Sequence, residues 1–148
     1  MHIYISIGEQ KLRLFEGDAL AAEYVVSSAA NGIGFEEGSY CTPTGRFEVS
    51  EKIGDGEALG TIFKSRKPMG VWDGTPSDDD MILSRILRLN GLDAQNANSM
   101  ERYIYIHGTN HEALLGEPAS HGCIRMANAD IVELFDRIEL GAPLLIGY

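Results

Sequence analysis

Two histidines and a cysteine fall within 16 positions, in His107-Gly108-Thr109 and in Ser120-His121-Gly122-Cys123-Ile124-Arg125-Met126. A thiol attacks a carbonyl only as its thiolate, and a free cysteine holds few thiolates at neutral pH. A neighbouring imidazole lowers the thiol pKa and can store the proton. Gly122 has no Cβ beside the sulfur, so a substrate carbonyl can come close and the N–H groups of Gly122 and Cys123 can turn toward its oxygen. The pattern reads as a cysteine acyl-transfer site, with Cys123 as nucleophile and His107 as base. The apolar run Tyr103-Ile104-Tyr105-Ile106 predicts a buried strand that delivers His107 at its end.

No acid stands at an obvious triad spacing, so the second ring nitrogen of His107 is expected on a backbone carbonyl near Gly108, which would fix the tautomer. His121 adjoins the nucleophile but points elsewhere if the segment is extended; as a catalytic residue its expected part is to shape the loop or donate to substrate, with proton abstraction the alternative. Ser120 is expected to hydrogen-bond within the loop. Arg125 can fork onto a substrate carboxylate or pair with a surface acid. Blander readings exist: Cys123 as a small buried hydrophobe and His107 as a core histidine. His111, with His107, His121 and Cys123, would supply four zinc donors. Gly108 and Asn110 argue against the helix that would give that spacing meaning, so neither metal nor cofactor is expected. Cys41, beside the turn residues Pro43 and Gly45, reads as a spectator.

The His-Gly-Thr and Ser-His-Gly-Cys-Ile-Arg-Met segments resemble the signature of the YkuD family, the L,D-transpeptidase catalytic domain of bacterial cell-wall enzymes. Thr42-Pro43-Thr44-Gly45-Arg46-Phe47 resembles that family's upstream segment, and Ile86–Leu92 with Arg102–His107 resembles the stretch leading into its histidine. The resemblance covers nearly the whole chain. It implies a mainly β fold, a β-sandwich of mixed sheets with one or two short helices, in a single domain over residues 1–148. It further implies a reaction. The Cys123 thiolate attacks the carbonyl at the L-centre of diaminopimelate, D-Ala leaves, and an acceptor resolves the thioester. An amine acceptor makes the enzyme an L,D-transpeptidase forming 3–3 cross-links outside the membrane. Water makes it an L,D-carboxypeptidase trimming tetrapeptide to tripeptide, the expected activity here, in murein recycling. A non-catalytic peptidoglycan-binding module is the reading from another class. Arg125, Thr109 and Trp72 are the expected substrate contacts, and the partner is a peptidoglycan stem peptide or muropeptide.

At 148 residues the chain is long enough to bury a core without disulfides or a structural metal. A net charge of −10 argues against a nucleic-acid or anionic-membrane partner. An acidic wall peptide must therefore be held by local arginines. Cys41 and Cys123 are expected as free thiols, because a disulfide between them would consume the nucleophile. Met1–Gly8 alternates like a strand rather than a signal peptide, and no apolar stretch approaches a membrane span. If Met1 is the natural start the expected compartment is the cytoplasm; if a leader was removed, it is periplasmic.

Around the site, alternation at Ile3, Ile5 and Ile7, then at Leu12 and Leu14, then through Glu23–Val26, predicts an antiparallel meander. Ala29–Gly38 reads as a loop and Phe47–Val49 as a strand. Ile53–Asp80 has little periodicity and is expected to form an irregular flap carrying Trp72. Ile82, Ile86 and Leu89 would share one face of a short helix capped by Asp79 or Asp80 and stopped at Asn90-Gly91. Asn128 reads as an N-cap, with Ile131, Leu134, Phe135 and Ile138 on the apolar face of the helix it starts. Leu144–Ile146 closes the chain as a buried strand.

Overall fold

Apolar residues at every second position make the first strands one-sided, and each must find a partner for its buried face. The computed structural model describes residues 1–148. Strands β1 (His2–Ser6), β2 (Lys11–Glu16) and β3 (Ala19–Ser27) form the expected meander. They are followed by β4 (Gly45–Ile53), β5 (Thr61–Lys64), β6 (Lys67–Val71), β7 (Ile82–Gly91), β8 (Tyr105–Gly108), β9 (Ile124–Met126), helix α1 (Asn128–Arg137) and β10 (Pro143–Gly147). The strand order is β4-β10-β1-β2-β3-β9-β8-β7-β5-β6, and β4 also pairs with β7, which closes the sheet on itself. Pairing is antiparallel except for β1 with β10 and β8 with β9. The fold is thus mainly β with mixed pairing and one α-helix, as the resemblance implies, and its hydrogen bonding runs around one closed sheet.

Inside the closure lie Ile3, Ile5, Leu12, Leu14, Val26, Phe47, Val49, Leu87, Leu89, Ile106, Ile124, Leu144 and Ile146, all 3% exposed or less. Helix α1 adds Ile131, Leu134 and Phe135 to that core and packs on β7 and β8. A second, small cluster of Phe63, Ile86 and Tyr105 has Cys123 packed against it. It joins the β5–β6 hairpin to the strands that carry the site.

Three expectations are corrected. Residues 82–91 form β7, not a helix. Ser84 sits at φ +71, and the register slips between Leu83 and Ile86. This bulge turns Ile82 and Ile86 into an apparent helical pair, while β8 on one edge and β4 with β5 on the other supply the backbone partners that select strand. Residues 53–80 are not irregular throughout, because they hold the β5–β6 hairpin. Its turn residues Ser65 and Arg66 have φ of 49° and 65°, the left-handed pair of a type I′ turn built without the usual Asn or Gly. Asn128 is not the N-cap. Ala127 holds that position and Glu112 Oε1 accepts the Asn128 N–H at 2.8 Å, so the cap is tertiary. No helix is long and apolar enough to cross a membrane.

Candidate active site

β8 and β9 run parallel with His107 opposite Arg125. Because strand side chains alternate, Cys123, two residues before Arg125, starts from the same face as both. That face lies outside the main core. Tyr103, at φ +56, turns the chain just before β8, so the strand begins two residues later than its apolar run suggests.

The loop Ser120–Cys123 is held from three directions. Ser120 Oγ donates to Cys123 O at 2.6 Å, and the Ser120 N–H reaches Ser28 O at 2.9 Å. Thr42 Oγ1 donates to Gly122 O at 2.9 Å while accepting the Ala29 N–H at 2.9 Å, so the upstream threonine ties the segment that follows β3 to the nucleophile loop. Arg102 Nη2 donates to Cys41 O at 2.7 Å. That carbonyl would stand 3.2 Å from a Cβ on Gly122, whose φ of +124 already requires glycine. Thr42 and Arg102 were not singled out by spacing. Thr42 lies 80 residues from its partner, and its only signal was the Thr-Pro-Thr-Gly segment.

The Cys123 sulfur accepts the Tyr105 N–H at 3.4 Å and lies 3.3 Å from Tyr103 O, where the thiol proton can be donated. Burial pushes this thiol up to about 11; the Tyr105 N–H opposes the shift, nearby Asp80 adds to it, and Arg125 and Arg102 act against it. The expectation of a resting thiol below its free value is therefore corrected: desolvation outweighs the donors, and no hydrogen bond joins His107 to the sulfur. His107 is 1% exposed, and burial also lowers its pKa. Its Nδ1 lies 2.6 Å from Gly108 O. A carbonyl can only accept, so Nδ1 carries the proton and Nε2 keeps a free lone pair. Both resting groups are neutral. Gly108 has no room for a Cβ, which would meet Leu83 O at 2.6 Å and also Asn128 Oδ1.

His121 lines the same hollow as Cys123. Its ring Nδ1 is 3.2 Å from Asp80 Oδ2, and the other Asp80 oxygen is 2.9 Å from Arg125 Nη2. Asp80 is the residue that spacing missed: it lies more than 40 positions upstream, at the end of the flap. The flap is strapped down there by Asn110 Nδ2 on Asp79 O and by His111 Nε2 against the same carbonyl, each at 2.9 Å. Tyr40 packs edge-on against His121, ring centroids 5.9 Å apart. A hollow of about 170 Å³ around Cys123 is lined by Tyr40, His121, Arg102, Tyr103, Glu37 and Glu101, among others. A second, of about 450 Å³, is bounded by Ala30, Asn31, Ser120 and the same Tyr40 and His121.

None of the three residues expected to contact substrate lines the Cys123 hollow. Arg125 is 3% exposed, with its guanidinium on Asp80 and on Ala119 O, so it is spent inside the protein. Thr109 is fully buried, its hydroxyl accepting the His111 N–H and its carbonyl accepting Asn128 Nδ2. Trp72 donates its indole N–H to Thr75 O at 3.0 Å within the flap and does not line the Cys123 hollow. The Gly122 N–H points to Ser120 Oγ at 3.3 Å rather than to an oxyanion, whereas the Cys123 N–H has no backbone acceptor.

The family model of the YkuD L,D-transpeptidase catalytic domain matches residues 1–146. YqjB of Bacillus subtilis, named as a candidate L,D-transpeptidase, is 35% identical over 105 residues, 71% of this chain and 51% of its own length. YkuD of the same bacterium is 36% identical over 73 residues, 49% of this chain and 44% of its own. The chain thus spans about half the length of the curated relatives it matches. An L,D-transpeptidase from Xylanimonas cellulosilytica superposes with a TM-score of 0.64 at 20% identity, covering 98% of this chain and 59% of that one. L,D-transpeptidase 3 from Mycobacterium tuberculosis, solved with a faropenem-derived adduct, gives 0.59 at 19% identity, covering 99% and 59%. Such identities show a shared fold alone. The sequence match, which begins before β1 and ends within β10, places this chain in the YkuD family of L,D-transpeptidase catalytic domains.

Proposed function

We propose that the protein cleaves the diaminopimelate–D-Ala bond of peptidoglycan tetrapeptides by acyl transfer to Cys123, and that water resolves the thioester, making it an L,D-carboxypeptidase. The observation that carries the reading is a half-buried thiol held on β8 by the Tyr105 N–H, with His107 of the same strand keeping its proton on Nδ1 against Gly108 O. Since both groups rest neutral, no ion pair precedes attack. His107 Nε2 takes the thiol proton as the sulfur bonds to the carbonyl carbon. The Cys123 N–H is the free donor for the oxyanion, an element worth about 3–4 kcal/mol where one has been removed. His107 then returns the proton to the departing D-Ala amine.

Water is favoured as acceptor by the second hollow. Its lining, Ala30, Asn31, Tyr40, Ser120 and His121, carries no carboxylate, lysine or arginine to anchor the charged ends of an acceptor stem peptide. Orientation must make up for the abundance of water, so an amine that is not anchored loses. The acidic side chains Glu37 and Glu101 stand in the Cys123 hollow instead, where the distal ammonium of the donor diaminopimelate could meet them.

Mass spectrometry of soluble tetrapeptide incubated with the enzyme tests this. Free D-Ala and tripeptide are expected, with little dimer even when acceptor peptide is added. Cys123→Ala and Cys123→Ser should abolish turnover in a folded protein, and Cys41→Ala should keep it. Abundant dimer would return the transpeptidase reading; a folded but inactive Cys41 variant would overturn the assignment of the nucleophile.

A further inference from the structure

We propose that His121, oriented by Asp80, is the catalytic base of the second half-reaction, taking the proton from the molecule that resolves the Cys123 thioester. The inference rests on the reading of Cys123 as nucleophile.

The two histidines are placed for different substrates. His107 is buried on β8 and does not line either hollow, its Nδ1 committed to Gly108 O. His121 has a side chain 64% exposed, lies two residues before Cys123 and lines both hollows. His121 and Tyr40 wall both hollows. A donor peptide bonded to Cys123 fills the first, so a second reactant reaches the thioester through the other and passes the His121 ring. Asp80 Oδ2 accepts from Nδ1, which leaves Nε2 as the nitrogen with a free lone pair. Arg125 already balances the Asp80 charge at 2.9 Å, and the second Asp80 oxygen orients the His121 ring. The edge of Tyr40 against the ring restricts its rotation.

The chemistry balances within these groups. Nε2 accepts a proton from water as its oxygen bonds to the thioester carbonyl carbon. The tetrahedral intermediate collapses, the C–S bond breaks, and the electron pair returns to sulfur. The imidazolium proton passes to the Cys123 thiolate, regenerating the resting thiol and freeing the tripeptide carboxylic acid. An amine acceptor would lose its proton along the same route.

The test separates the half-reactions on tetrapeptide by rapid quench, reading first-turnover D-Ala release for acylation and the intact mass of the enzyme for the tripeptidyl adduct. In His121→Ala, first-turnover release should stay within about threefold of the parent, while steady turnover falls by about a hundredfold, the usual reach of one acid–base group. The adduct should accumulate on Cys123. Imidazole added to the buffer can enter so exposed a site and should restore turnover without changing the first-turnover rate. Asp80→Asn should accumulate adduct too, because the ring remains but its orientation is lost. A first-turnover rate that falls in step with turnover, an adduct that does not accumulate, or a failure of imidazole to restore turnover would overturn the proposal. If the unsubstituted enzyme itself releases no D-Ala and forms no adduct, the function proposed above fails instead.

Discussion

Alkylation of Cys123 separates a resting thiol from a preformed thiolate–imidazolium pair. With the thiol pushed up to about 11 from an ordinary 9.0, the thiolate fraction at pH 7 is about a hundredfold smaller than that of an unshifted cysteine. The thiolate that does form is more basic and therefore more nucleophilic, by about 6- to 10-fold for a Brønsted slope of about 0.4–0.5. The net expectation is a reaction with iodoacetamide about 10- to 15-fold slower than that of a free cysteine peptide. In a Cys41→Ala background, intact-mass kinetics should rise tenfold per pH unit and keep rising past pH 9. His107→Ala should leave this alkylation nearly unchanged, because the resting ring makes no bond to the sulfur, yet it should abolish D-Ala release. A rate that levels off below about pH 8, or a drop in alkylation on removing His107, would refute the neutral pair and restore an ion pair.

Three further outcomes follow from the same contacts. His107 has a folded-state pKa below its ordinary 6.5, so as pH falls the unfolded chain binds the proton first. Its contribution is present above pH 6.5 and is lost as pH falls below it; urea midpoints should show this loss, and His107→Gln should remove that part of it. Thr42→Val strips the partner from the buried Ala29 N–H and from Gly122 O, which should cost about 1–3 kcal/mol in urea unfolding and slow turnover, with Thr42→Ser recovering both. Asp80→Ala leaves Arg125 buried and unpaired, a loss of about 3 kcal/mol, at the low end for a broken buried pair because the Asp80 side chain is 26% exposed. Arg125→Met in the same background should regain part of that stability.

How much of this was legible in the sequence follows from the range over which each feature is determined. The alternation at Ile3, Ile5, Leu12 and Leu14 and the helical face of Ile131, Leu134 and Phe135 are set by neighbours in the chain, so periodicity finds them. The same holds for Cys123 and His107, whose type and spacing already state a chemistry. Residues 82–91 misled because one bulged residue, Ser84, shifts the period from strand-like to helix-like, and only the flanking strands resolve the ambiguity. The hairpin at 61–71 was hidden for the opposite reason: Ser65 and Arg66 take positive φ without the residues that announce such a turn. Asp80 shows most about the site. One carboxylate in an aspartate-rich run carries no local sign that it will bridge His121 and Arg125. The sheet closure that brings the flap across β8 and β9 decides that, and with it the fate of Arg125. A guanidinium beside a nucleophile looks like a substrate anchor until the fold supplies its own anion. Charges near a nucleophile are thus the part of such a site that sequence reads least well, since their meaning depends on which opposite charge arrives from far along the chain.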